Sequence, residues 1–407
     1  EEEFSVAPLA KILYLTSMKI IVAPASFKGS LTSTEAAKCI ADAARQALPK
    51  VEIIEFPLSD GGEGFVDVLV RGSGGKIFEV EVDGPLPGQR VQAQWGILGD
   101  GATCVIEMAA AAGLSLVPLG RRDPKITTTF GVGQVIEVAL DKRIEKIVVG
   151  IGGSATNDGG AGMAQALGVR LLRKDGTDIG RGGAALIELY QIDISWLDRR
   201  VRETEFVVAS DVTIPLCGPS GATAVYGPQK GATPADVELL DRALRHYGDL
   251  IKRDVGIDIM ELPGSGAAGG MGAGCVAFLN ARIQSGVEFV LNQLRFDEQV
   301  VGASLIITGE GKIDEQTTFG KTITGVVRRA KALNLPVVAI AGSVDGDRAE
   351  LQRTLGLQQL YSLWDCKSSH AEQLSIQEAM QRAKELLFEK ARDVVLEYSA
   401  FRDKSQL

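Results

Sequence analysis

The sequence predicts an α/β protein built from two α/β domains, a parallel-sheet domain interrupted by an inserted second domain of mixed α/β type. Three observations carry this. Strand–glycine loop–helix units stand at both ends of the chain, around continuous apolar runs such as Lys19–Val22, Ser304–Thr308 and Val337–Ala341, as expected for parallel strands covered on both faces. Between them the texture changes to short strands and turns. The length of 407 residues exceeds one ordinary core, and 45% hydrophobic residues with only 5% aromatic and 48 glycines suit an Ala/Gly/Val-rich α/β enzyme. The expected division is 18–75 with 286–400 for the interrupted domain, 76–285 for the inserted one, and 1–17 as an extension upstream of Met18, the natural start.

Each element has its own signal. Lys19–Val22 is a buried strand ending at Pro24, followed by a helix over Ser33–Leu48 with Thr32, Ser33 or Thr34 as its cap. Val51–Pro57 is a second strand, and Phe65–Val70 opens the next helix. Ile77–Val82, Gln89–Leu98 and Thr103–Met108 read as antiparallel strands separated by Asp83-Gly84-Pro85 and Gly99-Asp100-Gly101. Strand–loop–helix units resume at Lys146–Gly168, Phe206–Thr213 and Met260–Asn280. A last helix over Leu374–Tyr398 sets Ile376, Met380, Ala383, Leu387, Val394 and Tyr398 on one stripe.

Composition excludes several function classes. A net charge of −9 without any long basic run argues against a nucleic-acid face. No apolar run is long enough to span a membrane. The five cysteines, Cys39, Cys104, Cys217, Cys275 and Cys366, are scattered and read as reduced thiols of a cytoplasmic protein. His246 and His370 are isolated, which disfavours a zinc site or a Ser-His-Asp hydrolase.

The chemistry lies in six glycine-rich segments: Ala23–Ser30, Ser59–Gly64, Gly150–Gly162, Ser210–Thr213, Pro263–Gly274 and Thr308–Asp314. Glycine lets backbone N–H groups close on an anion, so such loops can hold phosphate. Phosphoryl transfer to an alcohol further needs a divalent ion, cations for the oxygens and a carboxylate for the hydroxyl. Asp60, Glu63, Asp158, Asp211, Glu310 and Asp314 lie beside glycines or at strand ends, and Lys28, Lys230, Lys312 and Lys321 each adjoin a glycine. Each acid could equally be a turn or cap residue. Gly150-Ile-Gly-Gly-Ser-Ala155 and Gly264-Ser-Gly-Ala-Ala-Gly269 match the dinucleotide fingerprint, which leaves an NAD-dependent 2-hydroxyacid dehydrogenase, a metabolite sensor and close backbone packing open beside phosphate binding. Gly320-Lys321-Thr322 resembles the end of a P-loop, but Glu315 stands where its first glycine belongs.

The segments taken together resemble the type I glycerate kinase family, bacterial glycerate 2-kinases. The resemblance rests on Ala23-Pro-Ala-Ser-Phe-Lys-Gly-Ser-Leu31, Asp60-Gly-Gly-Glu-Gly64, Gly150–Met163, Gly227-Pro-Gln-Lys-Gly-Ala232, Gly266–Ala273, Ile307–Asp314 and Ile340-Ala-Gly-Ser343, in family order over Met18–Leu387. It implies a flavodoxin-like domain interrupted by a second α/β domain, an active site in the cleft between them, and ATP- and Mg²⁺-dependent phosphorylation of (R)-glycerate at the 2-hydroxyl, with 3-phosphorylation as the alternative. Under it, Lys28, Asp60 and Asp211 are the catalytic candidates, and Ser26, Lys28, Gly61, Gly62 and Glu63 bind glycerate. Gly152, Gly153, Ser154, Asn157, Asp158, Gly266, Ala268, Gly269, Gly270 and Lys312 hold ATP, and Glu310 with Asp314 holds Mg²⁺. The expected partners are glycerate and ATP, with no nucleic acid and no membrane, and a homodimer as an option. The family commonly has Asp where this chain has Ala25, and Asn where it has Ile214.

Overall fold

The structure is a computed structural model that describes residues 18–318, 322–366 and 374–404. Residues 1–17, expected as an extension, and Gly320, Lys321 and His370 lie outside the described residues. The strands, in chain order, are β1 (Lys19–Pro24), β2 (Glu52–Glu55), β3 (Lys76–Asp83), β4 (Arg90–Ile97), β5 (Thr103–Glu107), β6 (Lys146–Gly150), β7 (Arg170–Leu172), β8 (Gln191–Asp193), β9 (Glu205–Ala209), β10 (Arg282–Gln284), β11 (Leu305–Ile313), β12 (Val337–Val344) and β13 (Gln359–Ser362).

The chain divides into two compact units. The first combines the residues up to Ser59 with those from Leu291 onward, and the second is Asp60–Val290. These limits differ from the 75/76 and 285/286 boundaries that the sequence suggested. The helix Phe65–Gly72 packs on β3, β4 and β5, so it belongs with the strands that follow it. The helix Gly286–Gln293 is tied at its start to Asp211, which keeps that end in the second unit.

In the first unit five parallel strands run in the order β2-β1-β11-β12-β13. Counted within the unit this is 2-1-3-4-5, the flavodoxin-like order, whose topological switch lies between β1 and β11. The apolar runs are continuous because both faces are covered. Ile20, Val22, Leu305, Ile307, Val338 and Ile340 pack against the helix Ser33–Ala47 and the final helix through Ala36, Ile40, Ala44, Leu387 and Val394. On the helix Thr322–Ala332, Ile323, Val326 and Ala330 are buried. Of the three cap candidates Thr32 takes the role: its hydroxyl accepts from Glu35 N at 3.2 Å while Glu35 accepts from Thr32 N at 2.9 Å.

The expected last helix is two helices, Ile376–Gln381 and Ala383–Lys404. The break at Arg382 takes Ile376 and Met380 out of the stripe, leaving them 72% and 42% exposed while Leu387 and Val394 are buried.

The second unit carries a six-stranded sheet in the order β10-β9-β6-β5-β4-β3. The antiparallel reading holds for β3, β4 and β5 among themselves, but β5 also runs parallel to β6, and β6 to β9 and β9 to β10. Trp95, Ile106, Ile147, Val149, Phe206 and Val208 form its core with Val132 and Ile136 of the helix Phe130–Leu140 and Met271 and Cys275 of the helix Ala267–Leu279. A second core gathers Leu171, Ile192, Leu244, Tyr247 and Phe278 under the long helix Pro234–Asp254 and the β7–β8 hairpin. All five cysteines are buried and unpaired. Among the described residues no helix is long and apolar enough to cross a membrane.

Candidate active site

Parallel register sets the second unit's functional edge. Glu107, Gly150, Ala209 and Gln284 are neighbours at the carboxyl ends of β5, β6, β9 and β10. The loop Asp60–Gly64 lies across this edge. Gly61 O accepts from Gly152 N at 2.9 Å, and a Cβ on Gly152 would stand 2.6 Å from Gly62 Cα. Gly61 likewise has no room for a Cβ beside Ala209 O, nor Gly286 beside Asp60 O. The sequence-predicted residues Asp60, Gly61, Gly62, Glu63, Gly152, Gly153 and Asp211 are thus brought together.

Asp211 is half-buried and accepts from Gly286 N at 3.1 Å and Val287 N at 3.3 Å, capping the helix Gly286–Gln293. Burial, reinforced by the neighbouring Asp60 charge against the pull of its donors, pushes its carboxyl up to about 6. Asp60 spends one oxygen on the amide of Gly62 in its own turn, at 3.1 Å. Glu63 is exposed.

Glu107 belongs to this acid group and was missed by sequence reasoning. It caps the helix Phe65–Gly72, accepting from Gly64 N at 2.9 Å, and burial with the Glu63 charge raises it to about 7 against its backbone donors. The available signal was an acid at the end of an apolar strand without a following glycine, outside the glycine-rich segments.

The other ATP-assigned residues of this unit behave differently. Asp158 is fully buried, and its carboxylate accepts from Thr129 N, Thr129 Oγ1, Gly160 N and Gly162 N at 2.8, 2.9, 3.2 and 3.3 Å. Burial pushes its carboxyl upward while those four donors oppose the shift. Asn157 is also buried and donates to Thr223 Oγ1 at 2.9 Å. Ala268, Gly269 and Gly270 form three successive left-handed residues before the helix proper. They lie flat on this loop: a Cβ on Gly269 would collide with Thr156 O, and one on Gly270 would stand 2.9 Å from Gly159 Cα. Gly266 is as tightly placed against Pro215 O, with Ile214 Cγ1 beside it. Close backbone packing, one of the alternatives open from the sequence, by itself requires glycine at these positions. The fingerprint at Gly150–Ala155 does not open a helix either, because the next helix starts only at Ala161.

In the first unit the residues after β1 meet those at the end of β11, at the topological switch. Phe27 is buried and anchors a tight turn in which Ser30 N donates to Phe27 O at 2.8 Å, leaving Lys28 exposed and Ser26 half-buried. Ala25 N donates to Gly309 O at 2.8 Å, and Gly311 approaches so closely that a Cβ would lie 3.1 Å from Lys28 N. Lys28 therefore stands beside the Glu310–Asp314 segment. Thr317 Oγ1 joins the two acids of that segment, donating to Glu310 Oε1 at 3.0 Å and accepting from Asp314 N at 3.2 Å. Lys312 is exposed and pairs with Asp345 at 2.9 Å and Asp314 at 3.5 Å.

Among the described residues no group of three or more His, Cys, Asp or Glu side chains forms a metal cage. Mg²⁺ does not need one, since it keeps waters and takes one or two carboxylates with substrate phosphates. Asp314 and Glu310 fit that requirement: both offer hard oxygens at one strand end, and Asp314 Oδ1 is buried without a hydrogen-bond partner among the described residues.

Residues 20–399 match the model of the glycerate kinase family. The chain is 47% identical to the glycerate kinase of Halalkalibacterium halodurans over 93% of its length and 97% of that protein. It is 48% identical to the glycerate 2-kinase of Escherichia coli strain K12 over 81% of its length and 86% of that protein. A crystal structure from Salmonella typhimurium LT2, assigned as glycerate kinase 2, superposes with a TM-score of 0.80 at 46% identity, covering 96% of this chain and all of that one.

Proposed function

The chain belongs to the glycerate kinase family, and on that premise we propose that it is an ATP- and Mg²⁺-dependent kinase that converts (R)-glycerate to 2-phospho-(R)-glycerate. The observation that carries the reading is the carboxylate pair Asp60 and Asp211. Two acids side by side at a strand-end edge give one group to hold the geometry and one with an oxygen left to accept a hydroxyl proton. Asp211 has both oxygens engaged at a helix start, so it holds the geometry, while Asp60 faces the substrate hydroxyl. Gly61, Gly62 and Glu63 contact glycerate, with Ser26 and Lys28 serving its carboxylate or the transferred phosphoryl group.

Glu310 and Asp314 would hold Mg²⁺, which when bound neutralises charge on the ATP phosphates. Lys312, paired with two acids, sets the charge of that segment. The Gly152–Ser154 loop supplies backbone donors to phosphate. Phosphorylation at the 2-position is supported by the name of the Escherichia coli relative. A ³¹P NMR spectrum of the product from ATP and D-glycerate tests activity and position together. A 2-phosphoglycerate doublet is expected. A 3-phosphoglycerate signal overturns the position, and absence of transfer overturns the reading.

A further inference from the structure

Lys230 is the least explained charge in the second unit. It ends a short turn, Pro228–Lys230, and is only 2% exposed. Its Nζ donates to Ser154 Oγ at 2.8 Å and to Thr156 O at 2.7 Å, both neutral acceptors on the glycine loop. Among the described residues it forms no ion pair. The carboxylate that acts on it, Asp158, is already held by four donors. Burial lowers its ammonium to about 7 against the pull of Asp158, so the charge is fully held at neutral pH only where something compensates it.

The compensation has an evident place. Next to Ser154, which Lys230 holds, the loop reaches the surface at Gly153, which is exposed and left-handed at φ +74°. The amides of Gly153 and Ser154 carry no hydrogen bond among the described residues. The buried hydroxyl of Thr156 also has no partner. Gly152 touches Gly62, two residues from Asp60, so this patch of donors adjoins the carboxylate assigned to the substrate hydroxyl.

We propose that Lys230 is a positioning residue whose buried ammonium, acting through Ser154 and Thr156, makes the Gly153–Ser154 amides an oxyanion cradle for the phosphoryl end of ATP. The choice of a phosphoryl group rests on the kinase reading above. In-line transfer puts the moving phosphoryl against the hydroxyl, so the anion site beside Asp60 falls to it. A cation fixed beneath the loop in a low-dielectric interior orients the cradle before the ligand arrives and is not screened by salt as a surface lysine would be.

The test compares wild type with Lys230→Met and Ser154→Ala by calorimetric binding of a non-hydrolysable ATP analogue and by steady-state kinetics. Lys230→Met is expected to weaken the analogue and raise KM for ATP by about 10-fold or more while KM for glycerate moves less than about 2-fold, the loss of one charge-assisted interaction. Ser154→Ala shifts the same quantities in the same direction by less. Unchanged nucleotide affinity in a folded Lys230→Met protein overturns the proposal, and so does a rise confined to KM for glycerate, which would give the cradle to the substrate carboxylate. If Lys230→Met does not fold, Ser154→Ala carries the same two outcomes. A wild type that binds the analogue in a Lys230-dependent way but never phosphorylates glycerate removes the functional reading and leaves this inference standing.

Discussion

Asp60 and Asp158 are written the same way in the sequence, each an aspartate followed by two glycines, and they make the same local turn. Asp60 Oδ1 accepts from Gly62 N at 3.1 Å and Asp158 Oδ1 from Gly160 N at 3.2 Å. Their surroundings are opposite. Asp158 is fully buried, with Thr129 and Gly162 filling its second oxygen, whereas Asp60 is half-buried next to another carboxylate. One carboxylate fastens the fold and the other is left with capacity for chemistry. A motif of this kind fixes a turn, and tertiary context decides what the turn is for.

The strongest way to break the comparison is to neutralise each acid. Asp60→Asn keeps the turn, because the amide oxygen can still accept from Gly62, but removes the proton acceptor. We expect kcat to fall by about 10²- to 10⁴-fold, the range for a lost general base, with the melting temperature unchanged. A kcat near wild type would move the role to Asp211. For Asp158 the expectation reverses. Asp158→Ala strands four donors in the interior and should cost on the order of 3–5 kcal/mol of stability, read as a lower denaturation midpoint. A midpoint within error of wild type would show that Asp158 does not fasten this loop.

The fold class was legible because parallel strands buried on both faces announce themselves as short continuous apolar runs, as at Ile20–Ala23 and Leu305–Ile307. The exact limits of the two units were not, since the helix Phe65–Gly72 follows a strand of one unit yet packs on strands that come later in the chain. The acids of the candidate site were visible one by one. Their grouping was not, because Asp60, Glu107 and Asp211 meet only through the register of β5, β6 and β9. Glycines are ambiguous in a specific way: those at Gly266, Gly269 and Gly270 are required by backbones in contact, a demand that leaves the same letters as a phosphate loop.

The pH dependence of Asp211 sharpens the comparison at smaller cost. Its carboxyl is raised from 3.8 to about 6 in the folded protein. Such a group contributes stability that is fully present below pH 3.8 and is lost as pH rises through about 6, because the folded state then carries a poorly hydrated charge beside Asp60. Asp211→Asn, whose single amide oxygen keeps one of the two bonds at the helix start, should therefore gain about 1–2 kcal/mol on wild type between pH 5 and pH 8, after discount for partial exposure and beside a pH-independent loss for the second acceptor. The gain should shrink toward zero as pH falls below 5. Melting curves across that window check it, and a difference independent of pH would mean that the charge of Asp211 is not what burial penalises.

The smallest effect is a control on the first unit, where an acid does purely local work. Thr32 and Glu35 cap the helix Ser33–Ala47 reciprocally, and the helix buries Ala36, Ile40 and Ala44 against the sheet that carries Lys28. Thr32→Ala removes the acceptor for Glu35 N and should cost about 1 kcal/mol. Glu35 is exposed and its carboxyl is lowered by the backbone and hydroxyl of Thr32. A small part of the loss should therefore fade as pH falls from its ordinary value of 4.5 through the lower value it has in the folded protein. The kinetic constants should stay at wild-type values, because the Phe27–Leu31 turn has its own backbone hydrogen bonds and does not depend on the cap. A fall in kcat with so small a loss of stability would show that the helix start and the Lys28 turn move together, and that this cap belongs with Asp60 rather than with Asp158.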